Sequence, residues 1–237
     1  MKETKYILTD ETIKVEGRTL HRIQALKSFA DVKEGDLGGY VESRKNLSQY
    51  GNCWIYNDAK VYGNAKVYDD AEICDLAEVC GDTHIFNSAR IYGFSRVYGE
   101  AVVSHYAQVY GNAIVFEKAR VRDFASVFGS AAVHGGAELK NRIEICAGAD
   151  IYSNDHFTVI DKIFSPLDNL TFFRRYNGIL YCVCNFINHY GFRQEVFGDV
   201  KEVKKELRKE LSKHPLIAHR YIKIINTVHK SHKRRHK

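Results

Sequence analysis

The sequence predicts a mainly β protein: a long coiling repeat of very short strands, preceded by a β-rich segment and followed by an α+β segment. Three observations carry that prediction. From Cys53 to Asn154 the chain divides into 17 uninterrupted hexads. The third position of every hexad is aliphatic, and it is β-branched in all of them but Leu139. The fifth position is Gly, Asn or Asp in 13 of the 17.

A period of six is too short for a solenoid of helices. It suits a chain that runs straight for a few residues and then turns a corner. The β-branched residue points inward from a short strand, where its stiff rotamer packs on its equivalents one coil up and down. Position one is Ala in 13 hexads, small because it lies near the crowded corner. Gly, Asn and Asp at position five tolerate the positive φ that a tight corner requires. Positions two and four flank the anchor and point outward.

Residues 1–52 read as short strands over 5–9, 12–15 and 19–26, with turns at Asp10-Glu11 and Glu16-Gly17-Arg18. They are expected to cap the first coil, whose apolar cross-section would otherwise face water. After Asn154 the hexads stop. Residues 157–164, 170–175 and 178–185 read as strands, the last two joined by a hairpin at Tyr176-Asn177-Gly178. Asp199 opens a helix through about Lys213, with Val200, Val203, Leu207 and Leu211 on one face. Pro215 opens a second, striped by Ile217, Tyr221, Ile224, Ile225 and Val228. The expected organisation is therefore 1–52, 53–154 and 155–237.

The Tyr-Gly-Asn-Ala flavour of hexads such as Ala59-Lys-Val-Tyr-Gly-Asn resembles the hexapeptide-repeat left-handed parallel β-helix family. The resemblance implies a triangular prism of three hexads per coil, hence nearly six coils, and it alone supplies the handedness. Gly35-Asp36-Leu37-Gly38-Gly39-Tyr40 before the hexads, and Thr171-Phe172-Phe173-Arg174 after them, resemble the layout of such proteins in phages and prophages. That association implies a host-cytoplasmic protein, one of whose tasks would be inhibition of a nucleic-acid-dependent defence complex, as an anti-CRISPR protein does. The same fold family is known for acyltransferases, in trimers with a catalytic histidine beside a loop that interrupts the hexads. Here no loop interrupts them, and His84, His105 and His134 fall at outward or corner positions, so no catalytic residue is assigned.

Composition narrows the classes further. No apolar run approaches the roughly 18 residues that span a bilayer, and the first residues lack the apolar stretch of an export signal. No cysteine or histidine spacing fits a zinc site, so no metal and no cofactor is expected. Residues 201–237 hold 13 Lys and Arg against 3 Asp and Glu, while the remainder of the chain is mildly acidic. A basic end on an acidic body points to a polyanionic partner. Lys204, Lys205, Arg208, Lys209, Lys213, Lys230, Lys233, Arg234, Arg235 and Lys237 are the candidate contacts with nucleic acid or with a protein or ribonucleoprotein partner. No base-reading motif accompanies them, so binding to nucleic acid would be weakly sequence-specific. Assigning every third hexad to one wall also stacks aromatics at position four. Tyr56, Tyr92, Tyr110 and Phe128 share the first wall, and Tyr62, Tyr98 and Phe116 share the second. These are the candidate surfaces of a dimer or trimer. The function expected is a non-enzymatic macromolecule-binding protein, with an acyltransferase relative and a structural assembly component as alternatives.

Overall fold

The computed structural model describes residues 4–146, 148–154, 157–161, 169–174, 180–187 and 193–234. The chain forms two compact units, divided between Asn154 and Asp155.

The first unit is a parallel β-solenoid of about six turns. Each hexad supplies one two-residue strand, from Trp54–Ile55 to Asp150–Ile151. Each strand pairs in parallel with the strand three hexads later: Ile91 lies opposite Val109, and Val109 opposite Val127. The result is three walls, running from Trp54–Ile55, Lys60–Val61 and Lys66–Val67. Inside, the column Ile55, Ile73, Ile91, Val109, Val127 and Ile145 is fully buried, as is nearly every position-one residue. Such complete burial of a valine or isoleucine is worth about 1.5–3 kcal/mol.

The corners obey the glycine rule and extend it. From Asn57 to Asn141 every position-five residue has φ between 54° and 75°. Gly99 needs more than a permissive φ: a Cβ there would stand 2.7 Å from the backbone nitrogen of Glu117. Where a carboxylate holds the position, it offsets strain with a bond to the next coil. Asp75 accepts from the backbone N–H of Gly93 at 2.9 Å, Asp123 from Asn141 at 2.9 Å and Glu117 from Gly135 at 2.9 Å. His105 and Glu117 adopt the left-handed corner although neither belongs to the residue types expected there.

The N-terminal segment pairs with the solenoid. β1 (Tyr6–Val15) and β2 (Arg18–Ala25) form an antiparallel hairpin with a bulge between Leu8 and Thr12, which merges two of the expected strands. β3 (Leu37–Val41), not anticipated as a strand, pairs antiparallel with β2 and parallel with Lys60–Val61. The hairpin thereby extends the second wall. Leu47 bridges in parallel to Val67, so residues 37–50 wind as a partial coil before the first hexad. Gly38 and Gly39 permit it: a Cβ on either would lie 2.6 Å from Ile55 O or 2.4 Å from Ala59 O. Tyr6 and Phe29 cover Trp54 edge-on, at 6.1 and 5.4 Å between ring centroids.

The second unit is a four-stranded antiparallel sheet in sequence order, then two helices. The strands are Phe157–Asp161, Asn169–Arg174, Leu180–Ile187 and Arg193–Asp199. The last of these was not expected, because Arg193-Gln-Glu lacks the apolar alternation of a strand. The turn at Tyr176-Asn177-Gly178 lies outside the described residues, although Arg174 does pair with Leu180 across it. The helices are α1 (Val200–Glu210) and α2 (Pro215–Arg234). Val200, Val203, Leu207 and Leu211 pack with Ala218, Tyr221, Ile225, Val228 and Phe172 into one core.

Candidate nucleic-acid interface

The basic residues of the second unit are ordered by the capping of α1. Asp199 accepts hydrogen bonds from the backbone N–H groups of Lys201 and Glu202, at 2.7 and 2.9 Å. Glu202 reaches back to accept from the backbone N–H of Asp199 at 3.1 Å. This capping box fixes the helix phase. With Val203 and Leu207 turned into the core, a rotation of about 100° per residue divides the remaining positions into two flanks. Glu202, Glu206 and Glu210 follow one flank, and Lys201, Lys204, Lys205 and Arg208 follow the other.

One contact identifies which flank meets α2. Lys204 Nζ donates to Asn226 Oδ1 at 3.1 Å. The acid-free flank of α1 therefore borders α2, a helix that itself contains no Asp or Glu. Along α2, His219, Lys223 and Asn226 repeat at helical spacing on the exposed face. Neighbouring side chains at such spacing stand about 5–6 Å apart. The product is a seam: a cationic flank of α1 beside an acid-free helix that contributes Lys223. Two of the three acids of α1 are engaged elsewhere: Glu202 in the cap, and Glu206 with Lys209 at 3.5 Å. No acidic side chain among the described residues pairs with Lys201, Lys205 or Lys223.

The expected contacts thus divide. Lys204, Lys205 and Arg208 lie on the seam, where Arg208 Nη1 also donates to the carbonyl of Lys204 at 3.3 Å. Lys209 belongs to the opposite flank with Glu206. Lys213 is exposed in the turn before α2. Lys230, Lys233 and Arg234 are the last turns of α2, while Arg235 and Lys237 lie outside the described residues. Lys201, His219 and Lys223 join the seam without having been singled out. The 201-204-208 and 219-223-226 spacings were the signal that could have found them.

The aromatic walls are partly as expected. On the first wall Tyr92 stacks on Tyr110 at 4.8 Å and Tyr110 on Phe128 at 5.0 Å. On the second, Tyr98 stacks on Phe116 at 5.1 Å and Phe116 on His134 at 4.5 Å. Tyr62 is different: it is 2% exposed, packed among Leu20, Tyr40, Ile13, Val15 and Cys80. The N-terminal hairpin covers it, so it serves this chain's own core rather than an open wall. Tyr56, half-buried, donates to Asp31 Oδ1 at 2.7 Å. Hexad reasoning overlooked position six, where Phe94, Tyr106 and Phe124 are 64%, 57% and 48% exposed at the corners. Tyr106 stacks on Phe124 at 5.1 Å, and the Arg142 guanidinium lies over Phe124 at 4.7 Å.

His134 has Asp150 Oδ1 at 2.8 Å from Nε2 and Glu117 Oε2 at 3.8 Å from Nδ1, so both ring nitrogens face carboxylates. His105 Nδ1 lies 3.1 Å from Ser104 Oγ, and His84 meets Tyr68 edge-on. Burial pushes the Cys74 thiol up to about 11, which suppresses the reactive thiolate. Among the described residues no cluster of His, Cys, Asp and Glu could hold a metal ion. No described helix is long and apolar enough to cross a membrane. Compared with known proteins, the chain matches no family model and no curated sequence.

Proposed function

We propose that the protein is a non-enzymatic macromolecule-binding protein, with the β-solenoid as scaffold and the α1–α2 seam as contact surface for a polyanionic partner. The observation that carries this reading is the segregation of charge on α1. Its acids lie on the far flank, and its cations lie beside an acid-free helix. Lysine and arginine in such rows neutralise phosphates without reading bases. The partner is a nucleic acid or a ribonucleoprotein, with recognition that depends weakly on sequence. The hexapeptide resemblance supports a left-handed course for the coils. It also supports a narrower role: a phage-encoded inhibitor, in the host cytoplasm, that occludes the nucleic-acid path of a defence complex of the CRISPR type. The exposed corner aromatics and the stacked ladders favour self-association into a dimer or trimer, which also leaves a structural assembly role as second reading. The acyltransferase alternative finds no loop interrupting the hexads beside a histidine, which is the feature that the resemblance would call for.

The test is a salt titration of binding to nucleic acid with the basic end neutralised. Replacing Lys230, Lys233, Arg234, Arg235 and Lys237 by Gln preserves the length of α2, which truncation after Val228 would shorten. If these five side chains each neutralise a phosphate, the slope of log affinity against log salt falls by roughly 3 to 5. An unchanged slope, or no affinity for RNA, DNA or a ribonucleoprotein at low salt, refutes the reading.

A further inference from the structure

We infer that the first wall of the solenoid carries a slot, centred on Cys74, for a single planar heteroaromatic ring that is neutral or cationic and has N–H groups on its edge, such as an unphosphorylated purine. The first observation is a break in a ladder. Position four of the first wall runs Tyr56, Cys74, Tyr92, Tyr110 and Phe128. From Tyr92 onward each ring lies flat on the next, at 4.8 and 5.0 Å and within 2° of parallel. Tyr56 and Tyr92 follow strands two coils apart. At the usual strand spacing, about 9–10 Å of wall separates them. That is twice the ring-to-ring distance of the ladder, and Cys74 contributes no ring to the space between. One ring inserted there would stack on both tyrosines at ladder distance.

The second observation is that this break is open. A groove of about 480 Å³ lies at Cys74, with Tyr56 and Tyr92 among its lining residues. That volume falls within the range of about 300–1,000 Å³ found for small-molecule sites. The second wall offers a comparison, because Tyr62, Cys80 and Tyr98 repeat the same break. There Ile13 and Val15 of the N-terminal hairpin pack with Cys80 around the buried Tyr62. The chain thus covers one break with its own side chains and leaves a groove at the other. Both tyrosines of the open break are held in place: Tyr56 donates to Asp31 Oδ1 at 2.7 Å, and Tyr92 to Gln108 Oε1 at 3.1 Å. Rings already fixed lose little freedom when a third stacks between them. The rim sets the charge of the occupant. Asp31, Glu72 and Asp75 line the groove against one cation, Arg90, whose Nη2 lies 2.8 Å from Glu72 Oε2. Carboxylates accept hydrogen bonds and do not donate them, so this rim favours a ring edge with N–H groups and repels a phosphate.

The experiment titrates the full chain with adenosine, and with adenosine monophosphate as its anionic counterpart, by ligand-observed nuclear magnetic resonance. Adenosine should bind, and the monophosphate should bind at least about tenfold more weakly because its charge matches that of the rim. Cys74→Phe fills the break with a residue the ladder already uses. It should weaken adenosine at least about tenfold while melting no lower than wild type. Cys74→Ala, which keeps the space, should hold the affinity within about threefold. Tyr92→Leu removes one stacking face from an otherwise apolar wall and should weaken adenosine at least about fivefold, independently of how the filled variant folds. No binding of adenosine at millimolar concentration, or affinity unchanged in both Cys74→Phe and Tyr92→Leu, would overturn the slot. A monophosphate bound as tightly as adenosine would overturn the assignment of charge. A wild-type oligomer that ignores adenosine and is dissolved by Cys74→Phe would overturn the free ring and give the slot to an aromatic side chain of a second copy.

Discussion

Val109 offers the sharpest test of the inward column. It is fully buried on the first wall, with Ile91 one coil before it and Val127 one coil after. Val109→Ala removes two methyl groups, each worth about 0.8 kcal/mol in transfer. The void left between two stacked neighbours adds a cavity term of about 0.5–1.5 kcal/mol, because paired coils above and below hold the wall open. The sum is about 2–3 kcal/mol. In a chain of this size each kcal/mol moves the melting midpoint by about 2–4 °C, so the variant should melt about 4–12 °C lower by far-ultraviolet circular dichroism. Val109→Asp goes further, placing a carboxylate where no donor is available, and should give no soluble folded protein. The outward neighbour Ser126 provides the control: Ser126→Ala should stay within about 0.5 kcal/mol of wild type. A Val109→Ala midpoint within about 1 °C of wild type, or a Val109→Asp protein with native circular dichroism, would show that the assignment of inside and outside is wrong.

Asp199→Ala removes the cap of α1 and its reciprocal bond to Glu202, and should cost the second unit about 1 kcal/mol; an unchanged denaturation midpoint for that unit would count against it. The Lys5 amine is pushed below its ordinary value by burial, against the opposing pull of Cys53, where its Nζ donates to Cys53 O at 2.9 Å. The native state therefore holds fewer protons than the unfolded chain between the lowered value and 10.5, so this group's contribution to stability rises with pH across that window. The Cys53 thiol, pushed up by burial, acts in the opposite direction above 9.0. The stability of wild type minus that of Lys5→Met should accordingly grow towards alkaline pH; a flat difference would exclude the amine as its source. Tyr92→Glu with Tyr110→Glu should lower the oligomer's mass in light scattering without altering circular dichroism, and a wild-type chain that is monomeric at tens of micromolar would end the idea of an aromatic contact.

Most of the solenoid was legible in the sequence because each of its constraints is local or strictly periodic. An inward Val, a position-one Ala and a left-handed corner recur every six residues, and pairing at a fixed offset of three hexads needs no choice of partner. Even the exceptions at His105 and Glu117 are absorbed, since neighbouring coils impose the corner on whatever residue arrives there. The N-terminal segment was not legible in the same way. Nothing periodic announces that Leu37–Val41 joins the second wall or that the hairpin buries Tyr62; that depends on two glycines admitting a close approach from residues far along the chain. Likewise the number of basic residues near the C-terminus is plain from composition, but their usefulness as a site is not. Helix phase, set by the Asp199 cap and the apolar stripe, sends the acids of α1 to one side. The tertiary packing of α2 against the other side, marked by Lys204 and Asn226, then turns scattered lysines into a seam. Charge is a property of the sequence, whereas the direction in which that charge points is decided only when the helices pack.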